Sequence, residues 1–408
     1  MKKKLLLFAG NFSPELTGIG KYNGEMIEWL ANNGMDCTVV TTYPYYPFWK
    51  VLHIYKNKRF WFTQEKINGI SILRCPHYVP ANPNGIKRLI SDFSIFFSEL
   101  IMLFFLLFKK RNDYVMQVAP PLPVGLLALV YKKIKGAKFI YHIQDLQVDA
   151  ARDLKIIRSK MMLNLMFGLE KIILKNADIV SSISEGMVRK LENKCKRKIL
   201  LFPNWTDIAF FYPLGGIAQI KENYGFLPTD KIVLYSGAIG EKQGLEILLT
   251  VSKELIDFKD IKFIICGSGP YKTKLQEIVI KERVTNIVFW ELVPLNMFNR
   301  FLNFADVHVI IQKKNTGDLV MPSKLGAILS VGGLAIVSAE PDTCLYDIIN
   351  KNNIALITEP ENPDELKKII LASIYQNNNK VKENARNYAI DILNIENILS
   401  GYSHAVFN

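Results

Sequence analysis

Short apolar runs recur along this chain, and helical segments separate them. In the first half the runs are residues 5–9, 37–41, 70–74, 114–118, 138–142 and 178–182. Segment 20–33, between the first two, carries Met26, Ile27 and Leu30 at helical spacing. Strands that apolar have no polar side to give to water, so both faces of their sheet must be covered. Alternation with helices does this and makes the sheet parallel and doubly wound. The run at 201–205 contains Pro203-Asn204, and the pattern then restarts. Residues 231–236, 262–266, 286–290, 307–311 and 335–338 form a second set of strands, with helices over 245–255 and 271–281. Two successive open α/β domains are therefore expected, over residues 1–204 and 205–387. No tandem short repeat or low-complexity linker interrupts them.

The 408 residues suffice for two such domains, and 49% hydrophobic against 22% charged residues excludes a disordered chain. Cys37, Cys75, Cys195, Cys266 and Cys344 are dispersed and form no C-x-x-C pair. That argues for reduced thiols in a cytosol, and against zinc or a disulfide framework. The net charge of +13 is uneven. Residues 1–205 hold 31 Lys/Arg against 15 Asp/Glu, a surplus of 16, whereas residues 206–408 hold 20 against 23, a deficit of 3. Such a basic half suits a polyanion: nucleic acid, an anionic membrane or a diphosphate-linked substrate. Solvated lysines are the plainer alternative.

Met-Lys-Lys-Lys followed by residues 5–9 imitates a signal peptide. The run is too short, and Asn11, Ser13, Pro14 and Glu15 follow at once, so it reads as a buried first strand. The longest apolar stretch, 93–108, is interrupted by Ser94, Ser98 and Glu99 and followed by Lys109, Lys110 and Arg111. It falls short of the roughly 20 residues that span a bilayer. It fits either a buried core helix of the first domain or an interfacial helix with a basic collar.

Open parallel sheets bind ligands outside the carboxyl ends of their strands, so chemistry belongs in the loops that follow strands. Gly18 and Gly20 lead from one such loop into a helix, where amides can approach a phosphate. Gly237 and Lys242 lie in a second, Gly267 and Gly269 in a third. Neither the spacing of a dinucleotide fingerprint nor a P-loop lysine-serine is present, which argues against redox cofactors and ATP hydrolysis. Residues 318–325 place Pro322, Ser323, Lys324 and Leu325 at the start of a helix, a good diphosphate site. His142 and Asp145 end a first-half strand. A lone pair of this kind is either cleft chemistry or a structural hydrogen bond.

The motifs occur in the order of a known family. They are P-E-L-T-G-I-G-K-Y-N-G-E-M at 14–26, P-Y-Y-P-F-W at 44–49, Q-D-L-Q-V-D-A-A at 144–151 and A-D-I-V-S-S-I-S-E at 177–185. F-P-N-W-T-D at 202–207, S-G-A-I-G-E-K-Q-G-L-E at 236–246, C-G-S-G-P at 266–270 and D-L-V-M-P-S-K-L at 318–325 follow. The chain resembles family 4 of the retaining GT-B glycosyltransferases, in the colanic-acid-type fucosyltransferase branch of exopolysaccharide enzymes.

The resemblance implies two facing Rossmann-like domains with an interdomain cleft, and a C-terminal helix of about 388–408 that packs back on the first. It implies a nucleoside diphosphate sugar as donor substrate, with UDP or GDP as the base-bearing part, and no cofactor or metal. Gly18, Gly20, Gly237, Lys242, Gly267, Gly269, Ser323, Lys324 and Leu325 would hold the diphosphate, and Leu292 and Val293 the base. His142 and Asp145 would lie near the reacting sugar. Tyr45, Tyr46, Phe48 and Trp49 would meet the acceptor, and Phe104 and Phe105 a membrane. The expected partners are a polyprenyl-diphosphate-linked or oligosaccharide acceptor and an anionic membrane surface, with no nucleic acid. The expected location is cytoplasmic, peripheral on the inner face of the plasma membrane. Ala238 and Gln243 stand where the family has arginine and lysine, and Leu319 and Ala327 where it has two glutamates. Those departures keep a non-catalytic scaffold open beside a GT-B nucleotide-sugar epimerase.

Overall fold

Leu5, Leu6, Leu7 and Phe8 are consecutive, and none has any solvent exposure. A strand buried on both sides needs helices above and below it. The computed structural model describes residues 2–15, 17–83, 85–153, 157, 159–314, 322–341 and 343–407. The chain divides into two units, Met1–Pro203 with Leu399–Asn408, and Asn204–Ile398.

In the first unit the strands are β1 (Lys4–Ala9), β2 (Asp36–Thr42), β3 (Thr63–Ile67), β4 (Ile70–Cys75), β5 (Tyr114–Ala119), β6 (Lys138–Ile143), β7 (Ile179–Ser182) and β8 (Leu200–Leu201). They lie in the order β3-β4-β2-β1-β5-β6-β7-β8. All pairings are parallel except β3 with β4, which is antiparallel. The chain steps outward from β1 to β2 and β4, then returns to place β5 on the other side. The gap between the β1 and β5 carboxyl ends is therefore a topological switch point.

The second unit repeats this design with β9 (Lys231–Ser236), β10 (Ile261–Cys266), β11 (Ile287–Trp290), β12 (Val307–Ile310), β13 (Ala335–Ser338) and β14 (Leu356–Thr358), ordered β11-β10-β9-β12-β13-β14. All pairings in this sheet are parallel. Along β9 the side chains alternate between two cores. Ile232 and Leu234 join one, Val233 and Tyr235 the other. The switch point here lies between β9 and β12.

The return of the chain begins later than the expected residue 388. Ala385 and Ala389 of the helix Asn379–Asp391 are fully buried in the second unit, and Leu393 joins the same core. Their small side chains let that helix pack against Ser323–Ser330. Ile390 and Ile392, inside the segment expected to pack back on the first domain, are exposed. From Leu399 on, the helix Ile395–Phe407 packs in the first unit. Tyr402 stacks on Phe202 at 3.6 Å, and Phe407 meets Tyr114 edge-on at 5.0 Å.

Candidate functional site

Three loops are hydrogen-bonded side by side along the carboxyl edge of the second sheet. The Gly237 amide donates to the Cys266 carbonyl (3.0 Å), Ile239 to Ser268 (2.9 Å) and Gly267 to Trp290 (3.3 Å). A Cβ on Gly267 would lie 1.9 Å from the Gly237 carbonyl oxygen, and one on Gly269 2.0 Å from that of Ile239. Both have positive φ, so only glycine fits. These two expected ligand residues thus have a packing requirement of their own, independent of any ligand. Leu292 and Val293 follow β11 at the end of this row, Leu292 exposed and Val293 half-buried.

Lys324 occupies the β9/β12 switch point. It opens the helix Ser323–Ser330, which follows β12, and Ser323 is exposed beside it. Its Nζ sits 3.9 Å from the ring centroid of Tyr235, and 3.5 Å from where a Cβ on Gly237 would stand. Tyr235 is buried, and its hydroxyl donates to the Ala238 carbonyl at 2.7 Å. The ammonium forms no ion pair or hydrogen bond among the described residues. Part of the residue's surface remains accessible, but burial of Nζ lowers its pKa to about 7. A cation beside a helix N-terminus, with no anion paired to it among the described residues, is prepared to receive one.

Leu325 does not join this site. Its side chain is fully buried in the hydrophobic core, and its amide already donates to the Pro322 carbonyl at 2.8 Å. Lys242 lies in the turn Glu241–Gln243, but its side chain is outside the described residues, as are Asp318, Leu319, Val320 and Met321. Ala327 stands on the Ser323–Ser330 helix, where it packs against the core. Among the described residues no three His, Cys, Asp or Glu side chains are grouped to hold a metal ion.

In the first unit the loop after β1 is organised by Glu15, a residue to which the sequence motifs assign no role. Its carboxylate accepts the backbone amides of Tyr45 and Tyr46, both at 2.9 Å, and the Asn11 side-chain amide at 3.0 and 3.2 Å. Burial outweighs these bonds and raises its pKa to about 6. A Cβ on Gly20 would reach 2.2 Å from Glu15 Oε2, and one on Gly18 3.0 Å from the Tyr46 ring. Glu15 thus fastens the aromatic loop to the glycine loop. Within that loop Tyr45 is buried, against its expected acceptor role, with its ring 5.5 Å from Trp49 and 4.8 Å from His77. Tyr46 and Phe48 are exposed, and the Arg88 guanidinium lies 5.0 Å over Trp49.

His142 is 2% exposed near the carboxyl end of β6. Its Nδ1 lies 3.0 Å from Ser181 Oγ, which lies 3.0 Å from Tyr402 Oη, and its ring lies 4.9 Å from Phe202. Burial lowers its pKa to about 3, so it is neutral at physiological pH and a poor proton acceptor. Asp145 is exposed in the loop beyond β6, so the two do not form a buried pair. The imidazole supports Ser181 and Phe202, the two residues that meet Tyr402 of the C-terminal helix. We expect His142→Ala to cost about 2 kcal/mol or more of stability. Because folding depresses this pKa, the unfolded chain binds the extra proton, and stability falls as pH drops from 6.5 towards 3. Denaturant melts across that window should show a shallower acid slope for the variant. Unchanged melts would remove the structural role.

Two family profiles cover the chain in sequence: a glycosyl transferase 4-like domain over residues 17–205, and glycosyl transferases group 1 over residues 217–390. The putative colanic acid biosynthesis glycosyl transferase WcaI of Escherichia coli (strain K12) is 36% identical over 97% of this chain and 98% of its own. The chain belongs to the GT4 glycosyltransferases. Its fold is GT-B, with two Rossmann-like domains. Sucrose-phosphate synthase from Thermosynechococcus elongatus superposes with a TM-score of 0.75 at 16% identity, over 99% of this chain and 98% of that one. HepE of Anabaena, solved in complex with UDP, gives 0.73 at 11% identity, over 99% of each chain. Tyr235 beneath the Lys324 ammonium is, with Glu15, a feature of this GT4 chain that sequence reasoning missed. A buried tyrosine one residue before a post-strand glycine loop was its only signal.

Proposed function

We propose that this glycosyltransferase moves a hexosyl group, with retention of configuration, from a nucleoside diphosphate sugar to a hydroxyl of a growing surface polysaccharide. The carrying observation is Lys324, an ammonium without an ion pair among the described residues, beside the Gly237 loop at a sheet switch point. HepE has also been solved with UDP-glucose, and WcaI is named for colanic acid biosynthesis, which supports donor and pathway class. As the glycosidic bond breaks, negative charge grows on the departing diphosphate. Lys324 and the helix N-terminus stabilise that charge without a metal ion. The departing phosphate takes the acceptor proton on the same face.

The acceptor in this reading is a polyprenyl-diphosphate-linked glycan, met at the cytoplasmic face of the membrane. The outward side of the helix Gly85–Leu107 supports it. Phe93, Phe97, Leu100, Ile101, Phe104 and Phe105 are all exposed there. A thermal-shift series with UDP, GDP and their sugar conjugates tests the donor half. At 100 times its dissociation constant the true nucleotide adds roughly 2.7 kcal/mol of stability. Absence of any shift at millimolar nucleotide would overturn the reading.

A further inference from the structure

We infer that the loop between β2 and β3, residues 54–62, is a second membrane-contacting element, set against an anionic bilayer beside the helix Gly85–Leu107. This rests on the membrane reading above, but a different observation carries it. Ile54, Phe60 and Trp61 are each 71% exposed, and Phe62 is 40% exposed. Lys56, Lys58 and Arg59 are exposed among them and pair with no carboxylate among the described residues. The stretch 37–64 contains no Asp or Glu at all.

The loop is built, and its side chains are held outward. Tyr43, fully buried, donates from its hydroxyl to the Trp61 carbonyl at 2.9 Å. The Trp61 amide donates to Lys58 (2.9 Å) and the Lys58 amide to Tyr55 (3.0 Å). Tyr55 is itself buried, with its ring 5.3 Å from the Arg74 guanidinium. A fixed backbone that presents three large apolar side chains to water has reserved them for another surface.

Topology places that surface. β3 runs antiparallel to β4, and Thr63 pairs with Arg74 near the end of β4. The loop therefore lies at the carboxyl edge of the parallel strands. The aromatic loop after β2 and the start of the helix Gly85–Leu107 occupy the same edge of this unit. Tryptophan and phenylalanine beside lysine and arginine that pair with no carboxylate among the described residues match the chemistry of an anionic lipid interface, and the Arg59 guanidinium lies 4.6 Å over the Phe60 ring. A protein partner of the usual mixed polarity would place some acids in the patch.

The test uses the full-length protein and vesicles of phosphatidylcholine, with and without one-third phosphatidylglycerol, the acyl chains brominated in a parallel set. Phe60→Ser/Trp61→Ser should keep its thermal midpoint, because both side chains are exposed, and should partition at least tenfold less into anionic vesicles. Trp61→Phe should bind within twofold of wild type but lose most of the quenching by brominated lipid. Double-variant binding equal to wild type, or quenching that persists in Trp61→Phe, would overturn the inference while leaving a helix-driven membrane reading intact. Failure of the wild type to bind anionic vesicles would sink both. Self-association without lipid that the double variant loses would assign the face to a second copy of the chain and also overturn it.

Discussion

Lys324→Ala should reduce transfer about a hundredfold or more and leave the protein folded. Removing one preorganised donor from a developing oxyanion costs about 3–4 kcal/mol of barrier. Stability should not follow activity down, because the ammonium is buried without an ion pair among the described residues. Its pKa of about 7 in the folded chain lies below the ordinary 10.5. The unfolded chain therefore holds the extra proton between pH 7 and 10.5, and wild-type stability rises with pH across that window. Below pH 7 both states are protonated, and the full cost of burying the charge is felt. The alanine variant should lack this slope and be no less stable at pH 7. A bound diphosphate would favour the charged form, so nucleotide binding near pH 8 should take up a proton. Calorimetry in two buffers of different ionisation enthalpy reads that uptake directly. Near-normal turnover in the variant, or binding that takes up no proton, would remove Lys324 from the donor site.

The strands were legible because they are buried on both faces, and a short continuous apolar run between turn residues marks such a strand. β3 and β14 were not: Thr63–Ile67 is half-buried or exposed at a sheet edge and looks like a loop, and Leu356–Thr358 is three residues long with two of them half-buried. Lys324 was legible because Pro322 and Ser323 mark a helix start after a strand. Tyr235 beneath it was not, because a ring under an ammonium is a tertiary fact. Glu15 was hidden for the same reason: its amide partners lie 30 and 31 residues away. His142 and Leu325 show what a motif leaves open. A motif gives position along the chain, but the register of strand and helix decides which side chains turn inward. His142 turns to Ser181, and Leu325 to the core.

The helix Gly85–Leu107 buries Ile95, Leu103 and Leu106 yet is also apolar on its outward side, and that outward face predicts the second large effect. Its inward positions include Ser91, Ser98 and Glu99, all buried. Neither Glu99 carboxyl oxygen has a hydrogen-bond partner among the described residues, and burial pushes its pKa well up. Its outward positions run through Ile86, Ile90, Phe93, Phe97, Leu100, Ile101, Phe104 and Phe105, all at least 40% exposed. The expectation of a buried core helix therefore fails on this face. By length and composition the helix could cross a bilayer. Its packing against β2, β4 and the helix Val124–Lys135 suits an element that lies in the interface instead. Lys109 and Lys110 beyond its end would supply charge for anionic headgroups, each worth about 1 kcal/mol near the surface. Phe104→Ser/Phe105→Ser should remain folded, since both rings are more than half exposed. Each ring withdrawn from lipid forfeits roughly 1 kcal/mol or more. The pair should therefore weaken partition into anionic vesicles by about thirtyfold. Co-sedimentation across a salt series separates the two contributions. Wild-type binding should weaken with salt, as screened lysines require, yet persist through the apolar face. Binding fully reversed by salt, and unchanged in the double variant, would leave electrostatics alone and reject insertion of this helix.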